Sequence, residues 1–366
     1  MHLVINGTEI GRQRGGNESF LLGLLQGIQD AEIPLQVTVL VTSEGAEVVK
    51  PLVAECQIID IGSYHRLPFY LWQQTSFLRR LKPDWYLSTY FLPSCLPCRG
   101  AVIVHDVSFC AHPTYFPPEI ALYMRLLTGL AIRRARVVAF DSKFTASEVK
   151  RYYPQVLTKG VVTWPGIDRR FRQPATAKDD LKTLAHYGLQ APYILAIGNI
   201  HPRKNLARVL EAYRQLNSSN ATMPGMVWIG LPRWKSAYLI REALEAGVIL
   251  PGYVPPDDLP ALYRGAAVFI YPSLYEGFGL PVLEAMACGT PVICSNTSSL
   301  PEMAGDAALT VDPYDVNAMA RALRLILADQ QFASALRQRG CQRVQRFTYA
   351  DTAQTLYRAL NDEGSH

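Results

Sequence analysis

Tyr193-Ile194-Leu195-Ala196-Ile197-Gly198-Asn199-Ile200-His201-Pro202-Arg203-Lys204-Asn205-Leu206 begins as a short apolar run, turns at a glycine, and leads into an amphipathic stretch. An apolar run bounded by turn residues and followed by helical periodicity is half of a βαβ unit. The same rhythm runs outward in both directions. On the N-terminal side it predicts strands near 2–6, 35–41, 57–61, 84–88, 101–104 and 137–140, with helices near 17–30, 68–80, 119–135 and 143–152. From Tyr193 onward it predicts strands near 192–197, 226–230, 247–250, 267–271, 291–294 and 308–310, each followed by a helix. Strands alternating with helices give a parallel sheet covered on both faces. The fold class is therefore α/β, with two Rossmann-like, doubly wound sheets.

Between the two series, Trp164-Pro165-Gly166-Ile167-Asp168 leads into a stretch without periodicity, as expected of a connection between domains. The expected division is 1–170, 171–349, and a C-terminal helix and tail over 350–366 that is free to pack back on the first domain. A chain of 366 residues fits two domains. At 49% hydrophobic and 18% charged, it has the composition of a globular protein.

A formal charge of +5, spread over short groups such as Arg133-Arg134 and Arg169-Arg170, is too small and scattered for a nucleic-acid binder. Met1-His2-Leu3-Val4-Ile5-Asn6 enters the first strand without the pattern of a signal peptide, so the expected location is the cytoplasm. No apolar run approaches the roughly 18 residues that span a bilayer. Membrane association would then be peripheral contact, at the inner face of the membrane. Seven cysteines fit reduced thiols better than a disulfide framework. Cys95 and Cys98 lack a second pair to complete a zinc site.

Four segments carry chemistry. Gly11-Arg12-Gln13-Arg14-Gly15-Gly16-Asn17 lies between the first strand and the first helix, where Gly15 and Gly16 let backbone N–H groups approach an anion. His105-Asp106 follows the run Ala101-Val102-Ile103-Val104, so both residues sit at a strand's carboxyl end, where ligands bind in open α/β sheets. Gly198, Asn199, Arg203 and Lys204 stand at the start of the helix near Leu206. Two cations there oppose the helix dipole unless an anion offsets them, and a diphosphate is the expected anion. The last segment, Tyr275-Glu276-Gly277-Phe278-Gly279-Leu280-Pro281-Val282-Leu283-Glu284, crosses a glycine loop into a helix with Pro281 in its first turn. It sets Glu276 in the loop and Glu284 about a turn inside the helix. Taken singly, each segment also reads as an ordinary turn, a solvated charge pair or unrelated surface residues.

Together, in this order and spacing, these segments resemble the glycogen-synthase-like, or group 1, retaining glycosyltransferases of GT-B architecture. Asp141-Ser142-Lys143-Phe144-Thr145 and Pro165-Gly166-Ile167-Asp168 add to the likeness. His105-Asp106-Val107-Ser108-Phe109 and His112-Pro113-Thr114-Tyr115-Phe116-Pro117 look like a segment of bacterial transferases that build surface polysaccharides. The resemblance implies two domains facing a cleft and transfer of a hexose from a UDP- or GDP-hexose to a glycan or lipid-linked glycan. No cofactor or metal is implied, since the nucleotide sugar is the donor substrate. It further implies that Arg203 and Lys204 bind the diphosphate, approached by Gly15-Gly16, and that Glu284 holds the ribose hydroxyls. By the same likeness Glu276, with the loop Gly277, Phe278, Gly279 and Leu280, lies near the transferred sugar. His105 contacts that sugar near its 6-hydroxyl, and the base lies at Pro251-Gly252-Tyr253-Val254. A nucleotide-sugar 2-epimerase and a non-catalytic nucleotide-sugar binding subunit remain open alternatives. A nicotinamide-dependent dehydrogenase is disfavoured because Gly11–Gly16 lacks Gly-x-Gly-x-x-Gly spacing.

Overall fold

The computed structural model describes residues 1–12, 15–53, 56–63, 69–156, 158–174, 176–217, 223–232 and 236–363. Gln13 and Arg14 of the first glycine segment, the start of the helix expected near 68, and the last residues of the tail lie outside them. The chain forms two compact units, Met1–Gly166 with Phe347–His366, and Ile167–Arg346. The change of unit thus falls inside the Pro-Gly-Ile-Asp segment.

The first unit holds seven strands: β1 (His2–Asn6), β2 (Gln36–Val41), β3 (Gln57–Asp60), β4 (Trp85–Thr89), β5 (Arg99–Val104), β6 (Val137–Phe140) and β7 (Gly160–Val162). They lie in the order β3-β2-β1-β4-β5-β6-β7, and every pairing is parallel. Side chains alternate between two cores because the strand period is two. Leu3 and Ile5 enter one core while Val4 enters the other. Both faces are covered, so each strand reads as a continuous apolar run. The edge strand β7 is the one the sequence reading lacks. Gly160-Val161-Val162 is short and only half-buried, too brief to show a period.

The second unit holds β8 (Tyr193–Ile197), β9 (Met226–Ile229), β10 (Ile249–Gly252), β11 (Ala266–Tyr271), β12 (Val292–Ser295) and β13 (Leu309–Val311). Their order, β10-β9-β8-β11-β12-β13, repeats that of the first six strands of the first unit. One face packs Ile194, Ala196, Val268 and Ile270 into an aliphatic core. The other face is aromatic: the Tyr263 ring meets Phe269 edge-on at 5.4 Å, and Phe269 stacks on Tyr271 at 5.6 Å.

The order reverses between β1 and β4, and again between β8 and β11. Such a reversal opens a crevice at the carboxyl ends of the strands, where ligands bind in doubly wound sheets. Asn6 and Ser88 mark it in the first unit, joined by an Asn6 Nδ2 to Ser88 Oγ hydrogen bond of 3.0 Å. The final helix, Tyr349–Asp362, is capped by Thr348 Oγ1, which accepts from Asp351 N–H, and packs on the helix Gly16–Asp30 of the first unit.

Candidate functional site

The second unit brings Arg203, Lys204 and Glu276 together at the β8–β11 reversal. Gly198 follows β8 with φ of +130°, and a Cβ there would lie 3.0 Å from Lys204 Cε. Glycine therefore lets the lysine stem lie against the backbone. Sequence reasoning places Arg203 and Lys204 at the N-terminus of the following helix, but the structure does not. They occupy a separate turn, Pro202–Lys204, and the helix Leu206–Asn217 begins only after Asn205, whose φ of +60° breaks the path. Asn205 is anchored by its side-chain amide, which donates to the carbonyls of Pro272 at 3.1 Å and Pro313 at 2.6 Å.

The anion that faces these cations belongs to the chain itself. Lys204 Nζ donates to Glu276 Oε1 at 2.7 Å, and Arg203 Nη1 reaches Glu276 Oε2 at 3.3 Å and the Tyr275 carbonyl at 3.2 Å. Lys204 Nζ also bonds the Tyr271 hydroxyl and lies 4.6 Å from the centre of that ring. Burial alone would raise the Glu276 pKa, but the charges of Arg203 and Lys204 and the lysine's hydrogen bond outweigh it and lower the value to about 2. A diphosphate is thus not required to offset the helix dipole. Two cations against one carboxylate still leave the cluster positive, which suits an anionic ligand.

The loop that carries Glu276 is held from behind. Ser299 Oγ donates to the carbonyls of Glu276 at 2.9 Å and Phe278 at 2.7 Å, while Ser298 Oγ accepts from Glu276 N–H at 3.2 Å. Gly277 and Phe278 are buried in this loop, and Gly279 ends it at φ of +109°. A Cβ on Gly279 would lie 2.6 Å from Leu300 Cδ2, so both the φ and the space call for glycine. The helix Leu280–Ala287 follows, with Pro281 in its first turn.

Glu284 sits in that helix and accepts from the Tyr263 hydroxyl at 2.9 Å. Burial, with Asp168 adding to it, raises its pKa to about 7, against the lowering effects of Tyr263 and Arg170. The two glutamates therefore differ in charge near neutral pH although they share one segment. Both are met by tyrosines of the aromatic face, Tyr263 and Tyr271, which burial keeps protonated as donors. Sequence reasoning missed both, along with Ser298 and Ser299. Tyr271 directly precedes the glutamate loop and carried a signal, whereas Tyr263 is visible only through the fold.

At the neighbouring strand ends, Gly198 N–H donates to the Ile229 carbonyl at 2.8 Å and Gly230 N–H to the Gly252 carbonyl at 2.9 Å. A Cβ on Gly230 would sit 2.2 Å from the Gly198 oxygen and 3.0 Å from the Asn199 nitrogen, so these backbones touch. Beyond Gly252, Tyr253 is exposed and Val254 buried.

In the first unit, Gly15 caps the helix Gly16–Asp30 at φ of +91°, and among the described residues no atom beyond the chain neighbours and the helix's own backbone lies within 4 Å of where a Cβ on Gly15 or Gly16 would stand. Phe20 of that helix meets the His105 ring edge-on at 5.1 Å, which brings the glycine turn and the histidine together. His105 is buried, and its Nδ1 lies 2.7 Å from Asp141 Oδ2. Its Nε2 is buried without a hydrogen-bond partner among the described residues.

Two doubly wound parallel-sheet units of this kind are the architecture of the GT-B fold. Residues 187–343 match the family model of the glycosyl transferases group 1. The O-antigen chain mannosyltransferase B of Escherichia coli is 35% identical over 273 residues, covering 73% of this chain and 71% of that protein. Among solved structures, sucrose-phosphate synthase of Thermosynechococcus elongatus superposes with a TM-score of 0.81 at 18% identity, over 100% of this chain and 99% of that one. Anabaena Alr3699/HepE, solved with UDP and glucose, gives 0.76 at 16% identity, over 99% and 100%. The chain belongs to the group 1 glycosyltransferases and has the GT-B fold.

Proposed function

We propose that this glycosyltransferase moves a mannosyl group, with retention of anomeric configuration, from a nucleoside-diphosphate donor to a glycan or lipid-linked glycan of a surface polysaccharide. The observation that carries the reading is the cluster of Arg203, Lys204 and Glu276 at the β8–β11 reversal, which couples a net positive charge to a fixed carboxylate. The sugar and its destination rest on likeness to the Escherichia coli O-antigen mannosyltransferase.

In this reading Arg203 and Lys204 face the diphosphate, with backbone N–H groups of Gly15 and Gly16 as further donors. Glu284 takes the ribose hydroxyls, and Tyr253-Val254 lies against the base. As the bond from the anomeric carbon to the phosphate oxygen breaks, negative charge grows on the leaving diphosphate and positive charge on the sugar. Arg203 and Lys204 stabilise the first, and Glu276 the second. The acceptor hydroxyl adds from the face the diphosphate leaves, and its proton passes to that diphosphate. Because the chain's own cations meet the phosphate charge, the scheme uses no metal. His105 offers Nε2 to a hydroxyl of the sugar.

The test is a panel of UDP- and GDP-linked hexoses scored by thermal shift and by donor hydrolysis. The expected result is stabilisation and slow nucleotide release with a mannose donor. A donor whose sugar is altered with no nucleotide released would instead identify an epimerase. Binding with neither outcome, even with acceptor present, would overturn the enzymatic reading.

A further inference from the structure

The helix Pro118–Arg134 turns leucines toward solvent. Ile120, Leu122, Leu126 and Leu130 are 44%, 58%, 58% and 45% exposed, while Ala121, Thr128, Ala131 and Ile132 bury the other side. Leu122, Leu126 and Leu130 recur every fourth residue and so form one stripe. A helix that buries one face is expected to be polar on the other, so this stripe asks for an apolar contact.

Cations lie along its flank and its C-terminal end. Arg125, Arg133, Arg134 and Arg136 are exposed. Lys159 closes the end of the helix, its Nζ donating to the carbonyls of Arg133 at 3.1 Å and Ala135 at 2.8 Å. The acids nearby are Glu119 in the first turn, Glu363, which acts on Lys159, and Asp106 and Glu148, which act on Cys110 together with Arg125. The patch is therefore apolar along its middle and positive at its flank and end.

We propose that this face seats the protein on an anionic lipid surface. The helix, about 25 Å long at 1.5 Å per residue, lies in the plane of the interface. Its leucines enter the acyl boundary, and Arg125, Arg133 and Arg134 meet headgroup phosphates. No helix among the described residues is long and apolar enough to cross a membrane, so the contact stays at the interface. Charge favours lipid over a second copy of this chain, since a two-fold contact would bring the arginines at the end of the helix, Arg133, Arg134 and Arg136, from both copies to one interface. The inference stands apart from the sugar chemistry, because none of these residues belongs to the donor site.

The test is flotation of the full chain with vesicles of phosphatidylcholine alone or doped with phosphatidylglycerol. The wild type should float with the doped vesicles, less so as salt rises. Leu122→Ser with Leu126→Ser, and Arg133→Glu with Arg134→Glu, should each weaken binding by about tenfold or more while leaving donor hydrolysis in solution unchanged. A wild type that ignores anionic vesicles, or a leucine variant that floats like wild type, overturns the proposal. So does a wild-type dimer that the leucine variant splits without any vesicle binding. Absence of donor hydrolysis from every variant would count against the transferase reading, and flotation would still decide this one.

Discussion

His105 presents Nδ1 to the Asp141 carboxylate at 2.7 Å, and this contact determines which ring nitrogen is left over. A carboxylate only accepts, so Nδ1 carries the hydrogen and Nε2 of the neutral ring is an acceptor. Asp141 then acts through His105 as a positioning residue. Asp141→Asn should lower kcat/KM by roughly 10–100-fold, the range found when the partner orienting a metal-bound imidazole is lost. In a His105→Ala background the same change should add almost nothing, because the two residues act as a unit. Multiplying losses in the double variant would show that Asp141 serves the fold alone.

The Lys204–Glu276 pair separates chemistry from stability. Lys204→Ala should reduce donor turnover by about 10²–10³ and destabilise the second unit by roughly 3–5 kcal/mol, since it leaves buried charge less compensated. Glu276→Ala should also destabilise. The double variant should regain part of the stability in urea titrations yet recover no activity. If Lys204→Ala turns over donor near the wild-type rate, the diphosphate assignment fails.

The legible part of the molecule was its rhythm. Apolar runs such as Ala101-Val102-Ile103-Val104 and Val268-Phe269-Ile270-Tyr271 became strands because both sheet faces are buried. Glu276 and Glu284 stood out through the glycines and proline around them, which turn and cap the chain. What could not be read was pairing across distance. Glu276 meets Lys204, and Glu284 meets Tyr263, only after β8 and β11 come side by side. Arg203 and Lys204 do not stand at the helix N-terminus for a local reason: Asn205 at φ of +60° starts the helix late.

The two glutamates should pull stability in opposite directions with pH. Glu276 falls from an ordinary 4.5 to about 2, so its contribution is present above pH 4.5 and is lost as pH falls toward 2. Glu284 rises from 4.5 to about 7, so its contribution is complete below pH 4.5 and is lost as pH rises through 7. Glu284→Gln should therefore raise the urea midpoint relative to wild type at about pH 8 and much less at about pH 5. Glu276→Gln should remove the corresponding acid-side loss. A wild-type midpoint unchanged between neutral and mildly alkaline pH would show that burial does not hold the Glu284 proton.

The return of the chain to the first unit rests on close contact around Tyr349. A Cβ on Gly23 would lie 2.1 Å from the Tyr349 ring, and one on Gly27 would lie 2.1 Å from the Tyr349 carbonyl oxygen. A tyrosine ring can turn aside, but a carbonyl moves only with its helix. Gly27→Ala should therefore destabilise by about 1–3 kcal/mol through overpacking, although alanine is the better helix former by nearly 1 kcal/mol. Gly16→Ala, on the same helix and clear of the other described residues, should leave stability nearly unchanged. Thermal melts compare the two directly. A Gly27→Ala midpoint at or above that of Gly16→Ala would mean that the helix Tyr349–Asp362 does not hold this close contact in solution.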